Sequence, residues 1–166
     1  MIIGNGDIAK ALPVRDDLLF FASGVSNSRE TNEDAYRREE QLLMQQDKKK
    51  HLVYFSSLCV FYSDTRYAKH KKLMEDTIRM YWEHYTIIRI GNIDFGENPN
   101  TIINFLRNQY KKGEKLDIQD TFRYIVSKEE LLYWIGMIPK WNVEMNITGK
   151  KMKVQEIVDE YVIPKK

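Results

Sequence analysis

The feature that most constrains this chain is an alternation of short apolar runs with stretches of helical periodicity. Residues 1–3, 18–22, 52–56 and 86–90 read as strands, and residues 7–12, 33–46 and 67–84 between them read as helices. The run Leu-Leu-Phe-Phe-Ala at 18–22 is apolar throughout, as a strand buried on both faces requires. Strands alternating with helices predict an α/β fold, a parallel sheet covered by helices on both sides. Ligands of such sheets bind at the carboxyl ends of the strands. That rule singles out Gly4 to Gly6, Ser23 to Ser28, Ser56 with Ser57, and Asn92. Further helices are expected near 101–111, 128–135 and 154–162, with a strand near 143–147 and loops at 45–50, 96–100 and 112–114. The whole of 1–166 reads as one domain. Its core is 1–95, and a smaller C-terminal part, 96–166, completes the sheet and the substrate side.

Bulk properties narrow the function. With 43% hydrophobic and 30% charged residues, the 166-residue chain carries enough apolar surface for a core and is not a disordered segment. Its 26 basic and 24 acidic residues leave a net charge of +2, too balanced for a dedicated nucleic-acid binder. The runs Lys48 to Lys50 and Lys69 to Lys72 read as a solvated loop and a solvated helix face. The lone cysteine, Cys59, cannot form an internal disulfide, which points to a cytoplasmic chain, and it reads as a buried small hydrophobe. No apolar run approaches the roughly 20 residues of a membrane span, and the start lacks the pattern of a secretion signal. His51, His70 and His84 show no metal-ligand spacing, so no metal is expected, and His70 reads as solvent-facing. Leu73, Met74, Ile78 and Trp82 recur at helical spacing as a core-facing stripe.

Two motifs carry chemistry. Gly4-Asn5-Gly6-Asp7-Ile8-Ala9 has the form G-x-G-x-x-A between a strand and a helix. Glycine permits the tight turn and a close phosphate, and the helix N-terminus favours negative charge. A plain strand–helix turn uses the same residues, and Asp7 suits a helix cap better than a phosphate neighbour. The second motif is Ser57 at a strand end, followed ten residues later by Tyr67 and Lys71, four apart on one helix face. A nearby ammonium favours the phenolate and lowers a tyrosine's pKa. The serine would then orient a substrate oxygen while the tyrosine moves the proton. Tyr-x-x-x-Lys alone is a common accident; with the serine strand and the glycine turn it becomes a set. Ser26, Asn27 and Ser28 with Arg38 and Glu39 read either as a polar cluster at the strand ends or as turn and cap residues.

Taken together, these segments resemble the extended short-chain dehydrogenase/reductase superfamily, in its nucleotide-sugar epimerase and dehydratase branch. The resemblance implies a Rossmann-like fold and NAD or NADP as cofactor. It assigns Ser57, Tyr67 and Lys71 as catalytic. It assigns Gly4, Gly6, Ile8, Ala22, Ser23, Gly24 and Lys71 to the cofactor, and Ser26, Asn27, Arg89 and Asn92 to the substrate. It also implies a sugar or nucleotide-sugar as the small-molecule partner, a role in surface-polysaccharide synthesis, and a homodimer through helices 33–46 and 67–84. No nucleic-acid or membrane partner is implied. The chain departs from the pattern between its first helix and second strand. Only Pro13 to Asp17 stand there, where a further strand–helix–strand segment holds the adenosine ribose. Two readings follow: an NAD(P)-dependent oxidoreductase or epimerase, which is preferred, and a binding or scaffold module that has lost full dinucleotide binding.

Overall fold

The computed structural model describes residues 1–163; the last three residues of the expected 1–166 domain lie outside the described residues. Five strands form one wholly parallel sheet: β1 (Ile2–Ile3), β2 (Leu18–Phe21), β3 (His51–Ser57), β4 (Tyr85–Ile90) and β7 (Val143–Ile147), in the order β1-β2-β3-β4-β7. Between them run α1 (Asp7–Ala11), α2 (Glu33–Met44) and α3 (Arg66–Tyr81). The expected α/β, Rossmann-like architecture is present.

Alternation along the strands explains the two-sided core. Phe20, Val53, Phe55, Ile88 and Ile90 point to one face, where they pack with Leu131 and Ile135 of α5 (Lys128–Gly136). Leu19, Phe21, Leu52, Tyr54 and Ile87 point to the other, against Leu43 of α2 and Met74 and Ile78 of α3. Trp82 joins that layer, but Leu73, expected in the same stripe, is about half exposed, because it sits one residue off the buried face. Polar caps set the helix starts: Asn32 accepts the Asp34 N–H at 2.9 Å, and Thr65 accepts the Ala68 N–H at 3.2 Å.

A second, three-stranded sheet was not anticipated. It contains β5 (Asn92–Ile93), β6 (Phe122–Val126) and β8 (Lys150–Lys153) in the order β5-β6-β8, with β6 and β8 antiparallel. Gly91 lets the chain leave β4 and enter this sheet at once, since a Cβ there would lie 2.7 Å from the Tyr124 carbonyl oxygen. α4 (Ile102–Lys111), α6 (Val154–Ile157) and a π-helical segment (Val158–Val162) pack on the second sheet through Ile103, Leu106, Ile125, Met152 and Ile157.

Strand order in the main sheet follows chain order from β1 to β4 and on to β7, so every crossover steps the same way. The crevice where a dinucleotide lies in an open α/β sheet forms where the order reverses. This sheet has no such reversal among the described residues, because α1 returns directly to β2 and β1 stays an edge strand.

Candidate functional site

A cleft of about 1180 Å³ runs along the carboxyl ends of the main strands and across to the second sheet. Ser57 ends β3, where its hydroxyl accepts the Cys59 N–H at 3.3 Å and starts a 3-10 turn over Leu58–Phe61. Tyr67 lies in the first turn of α3 and Lys71 one turn later, so Ser57, Tyr67 and Lys71 all line the cleft. So do Gly6, Ile8, Ala22, Ser23, Gly24, Ser26 and Asn92.

Three expected site residues lie elsewhere. Gly4, at φ +127°, packs under the end of β2; a Cβ there would stand 2.3 Å from the Ala22 carbonyl oxygen. Its freedom is used to seat β1 against β2. Asn27 turns its side-chain oxygen to the Arg29 N–H at 3.0 Å. Arg89 is held by Glu75 (2.9 and 2.5 Å) and by Glu144 (2.7 Å), a carboxylate network it shares with Arg79. Of the four residues assigned to substrate, Ser26 and Asn92 face the cleft.

Around Lys71 the electrostatics differ from the expected scheme. Its ammonium donates to Glu39 Oε1 at 3.0 Å and to the Tyr54 hydroxyl at 3.0 Å. The Tyr54 hydroxyl in turn donates to Glu39 Oε1 at 2.7 Å. The second oxygen of Glu39 accepts the Val25 N–H at 2.7 Å and meets the His70 ring at 3.0 Å. Glu39 is wholly buried, and His70 and Lys71 are nearly so. His70 is therefore not solvent-facing, and the run Lys69 to Lys72 is not a solvated face: its two middle residues turn inward. Burial works against the charge on Glu39, but Lys71, His70, the Val25 N–H and Tyr54 together hold it well below the usual carboxylate range. Gly24 completes the enclosure, since a Cβ there would lie 2.6 Å from Lys71 Nζ and 2.9 Å from Glu39 Oε1.

Tyr67 responds accordingly. Burial pushes its phenol well above the ordinary tyrosine value, Cys59 and Glu39 push the same way, and the Ser57 hydroxyl offsets part of the rise. The phenol is thus raised rather than lowered as expected, and the Lys71 ammonium gives its hydrogen bonds to Glu39 and Tyr54. Cys59 is half-buried in the cleft wall rather than fully buried, and burial raises its thiol too. The polar cluster of Arg38 and Glu39 forms with Ser23 to Val25 instead of Ser26 to Ser28: Arg38 donates to the Ser23 carbonyl at 2.9 Å and to its hydroxyl at 3.2 Å.

At the glycine turn, α1 is only five residues long. The Asp7 carboxylate accepts the Asn98 N–H at 2.8 Å and packs against Gly96, itself at φ +85°. The loop between β5 and α4 is thus tied to the helix start where a pyrophosphate would be cradled. A complete dinucleotide does not fit these residues. Among the described residues no strand lies beyond β1 on the adenosine side, the helix start carries an engaged carboxylate, and Lys71, expected to meet the cofactor, is held by Glu39. Among the described residues no group of His, Cys, Asp and Glu can hold a metal ion, and no helix is long and apolar enough to cross a membrane.

The fold has clear relatives among solved structures. The enzyme WbmG of Bordetella bronchiseptica, solved with NAD, superposes with a TM-score of 0.60 at 15% identity over 86% of this chain and 55% of its own. UDP-glucose 4-epimerase of Thermotoga maritima, solved with UDP-glucose, gives 0.65 at 14% identity, covering 86% and 59%. A UDP-glucuronic acid 4-epimerase variant of Bacillus cereus, solved with NAD, gives 0.69 at 14% identity, covering 86% and 57%. The chain has the fold of the NAD-dependent nucleotide-sugar epimerases. It spans a little over half the length of these structures. No family model matches the sequence, and neither does any curated protein.

Sequence reasoning weighed Glu39 only as one of a polar cluster and missed Tyr54 and His70 as site residues. It also missed Arg29, Tyr62, Arg123 and Tyr124, which line the cleft as well. Arg123 and Tyr124 belong to β6, a strand the sequence reading did not assign.

Proposed function

We propose that this chain binds a sugar or nucleotide-sugar in the cleft and acts on one of its oxygens through Tyr67 and Ser57. The observation that carries this reading is the placement of those two hydroxyls side by side, at the end of β3 and the start of α3, in a cleft of about 1180 Å³. That volume takes a ligand larger than a monosaccharide. The structural relatives solved with UDP-glucose and with a UDP-linked fluorodeoxy-glucuronic acid support the substrate class. A role in making surface polysaccharide, where nucleotide-sugars are the currency of assembly, belongs to the same reading. Tyr67 works here as a neutral phenol. It donates a hydrogen bond to a substrate oxygen that Ser57 orients. Because the residues present do not complete a dinucleotide site, no step is assigned to NAD or NADP.

A non-catalytic binding module is the second reading, and the closed Glu39–Lys71 pair favours it. Both readings predict stabilisation by ligand. At 100 times its Kd a ligand adds about 2.7 kcal/mol, a rise in Tm of roughly 5–10 °C for a chain of this size. The test is a thermal-shift screen with UDP, UDP-glucose, UDP-N-acetylglucosamine, NAD, NADP and the reduced cofactors. At least one UDP-sugar is expected to shift the protein, and the dinucleotides to leave it unmoved at millimolar concentration. No shift with any UDP-sugar, or a larger one with a dinucleotide, refutes the proposal. Tyr67→Phe separates the readings: it abolishes turnover in the first and weakens affinity about fivefold, the loss of one hydrogen bond, in the second.

A further inference from the structure

The chain has nine arginines, and their partners divide them. Arg15, Arg37, Arg66, Arg79 and Arg89 are each ion-paired with a carboxylate. Arg107 donates to the Tyr161 carbonyl at 2.9 Å. The other three, Arg29, Arg38 and Arg123, all line the cleft, and none of them is ion-paired among the described residues. Arg38 gives its guanidinium to the Ser23 carbonyl and hydroxyl. Arg29, on the loop after β2, is exposed and stacks over the Phe105 ring of α4, 5.6 Å from its centre. Its side chain donates no hydrogen bond among the described residues. Arg123, on β6 of the second sheet, donates only to neutral acceptors: the Thr121 hydroxyl at 2.8 Å, the Phe122 carbonyl at 3.0 Å and the Gln119 side-chain oxygen at 3.1 Å. These bonds leave part of the five-donor fork open.

Arg29 and Arg123 also line a recess of about 60 Å³, floored by Leu106 and Val154 of the second core. They are the two described residues that line both the recess and the cleft, so the spaces adjoin at them. A space of that size holds about two waters, or one carboxylate or phosphate group in their place. The guanidinium fork matches the paired oxygens of either group. Asp117 lines the recess too, but it is exposed and forms no ion pair with either arginine, so the two guanidiniums outweigh it.

We propose that Arg29 and Arg123 form a clamp for a terminal oxyanion of the ligand, a carboxylate or a phosphate monoester, seated in the recess. This rests on the reading that the cleft holds the ligand. It adds that the ligand ends in an acidic group, as a uronic acid or a sugar phosphate does. The restriction to a terminal group comes from the floor: a phosphate esterified on both sides needs room for a second substituent, and Leu106 and Val154 close that path.

The test follows the arginine Nε–Hε signals of 15N-labelled protein by NMR, assigned from Arg29→Gln and Arg123→Gln. Inorganic phosphate, glucuronic acid, dimethyl phosphate or glucose is added to tens of millimolar at constant ionic strength. Phosphate and glucuronic acid are expected to move both signals saturably; dimethyl phosphate and glucose leave them in place. Movement by one acid alone assigns the clamp to that acid's group. Arg29→Gln alters an exposed side chain with no hydrogen bond to lose, so the fold is kept. It is expected to weaken binding about tenfold, the loss of one charge-assisted hydrogen bond. Arg38→Gln is expected to leave binding unchanged. No saturable movement with either acid overturns the proposal, and so does equal movement with dimethyl phosphate. Binding that Arg29→Gln leaves intact, or that Arg38→Gln weakens as much, overturns it as well. No UDP-sugar enters this assay and it reads neither Ser57 nor Tyr67, so the clamp and the hydroxyl pair fail separately.

Discussion

Replacing Lys71 with methionine removes one partner of a buried ion pair and leaves the other in place. The Nζ–Oε1 distance is 3.0 Å, with 3% of the lysine side chain and none of the glutamate exposed. At an effective dielectric of about 20, two unit charges at that distance attract by roughly 5–6 kcal/mol. The lysine also repays its own desolvation from this sum, so the net worth of the pair is smaller. The loss on truncation is large for a different reason: the Glu39 carboxylate stays buried with only His70, Tyr54 and the Val25 N–H around it. Breaking a buried pair in this way costs about 3–5 kcal/mol. That is a sizeable fraction of the 5–15 kcal/mol of a typical domain, and for a chain of this length it lowers Tm by roughly 6–20 °C. Urea unfolding followed by far-UV circular dichroism, at pH 7 and fixed salt, gives the difference from the midpoints. The companion Glu39→Gln/Lys71→Met removes both charges while keeping an amide acceptor for the tyrosine and the backbone. It is expected to be less destabilised than the sum of the two single variants by about 2 kcal/mol or more. A loss below about 1 kcal/mol for Lys71→Met, or additive single variants, refutes the buried pair.

Two further outcomes follow from the same geometry. Glu39 ionises at lower pH in the folded protein than its ordinary value of 4.5, so its contribution is fully present above that value and lost as the pH falls below it. Between pH 5 and 3 the unaltered protein should lose stability faster than Glu39→Gln, and parallel Tm curves for the two would contradict this. At the glycine turn, Gly4→Ala forces a side chain into the left-handed region and onto a backbone oxygen 2.3 Å away, whereas nothing lies within 4 Å of a Cβ at Gly6. Gly4→Ala should cost about 3 kcal/mol or more and Gly6→Ala less than about 1 kcal/mol by urea unfolding; equal costs would show that Gly4 does not serve as the seat of β1.

The main sheet was legible because its strands are uniformly apolar and its helices amphipathic, signals that survive without tertiary context. The second sheet was not. β5 is two residues long, and β8 is Lys-Lys-Met-Lys, whose single inward residue, Met152, gives no period to read. Ser57 and Tyr67 were legible from the strand end and the helix start that present them. Arg89 was misplaced because a strand-end arginine looks the same whether it meets a ligand or, as here, Glu75 and Glu144. The buried network did leave a trace. Tyr36, Glu39 and Leu43 share one face of α2, and His70, Lys71, Met74 and Ile78 share one face of α3. An acid in one apolar stripe and a base in the next marks a buried pair, provided the two helices are known to pack on the same side of a sheet.

That pairing and the shortened sheet bear on each other. In a sheet whose strand order reverses, a dinucleotide lies in the crevice at the reversal, and the sequence resemblance assigns Lys71 to that cofactor. Here the order runs without reversal, and Asp7 ties the loop at Asn98 over the helix start. Without Glu39, Lys71 would be a buried ammonium with no counter-charge beside it, which the interior does not tolerate. Glu39 supplies the missing acceptor from within the chain. A variant built to bind a dinucleotide here would have to remove Glu39 and free the helix start from Asp7 together, since either change alone leaves the site closed at one end.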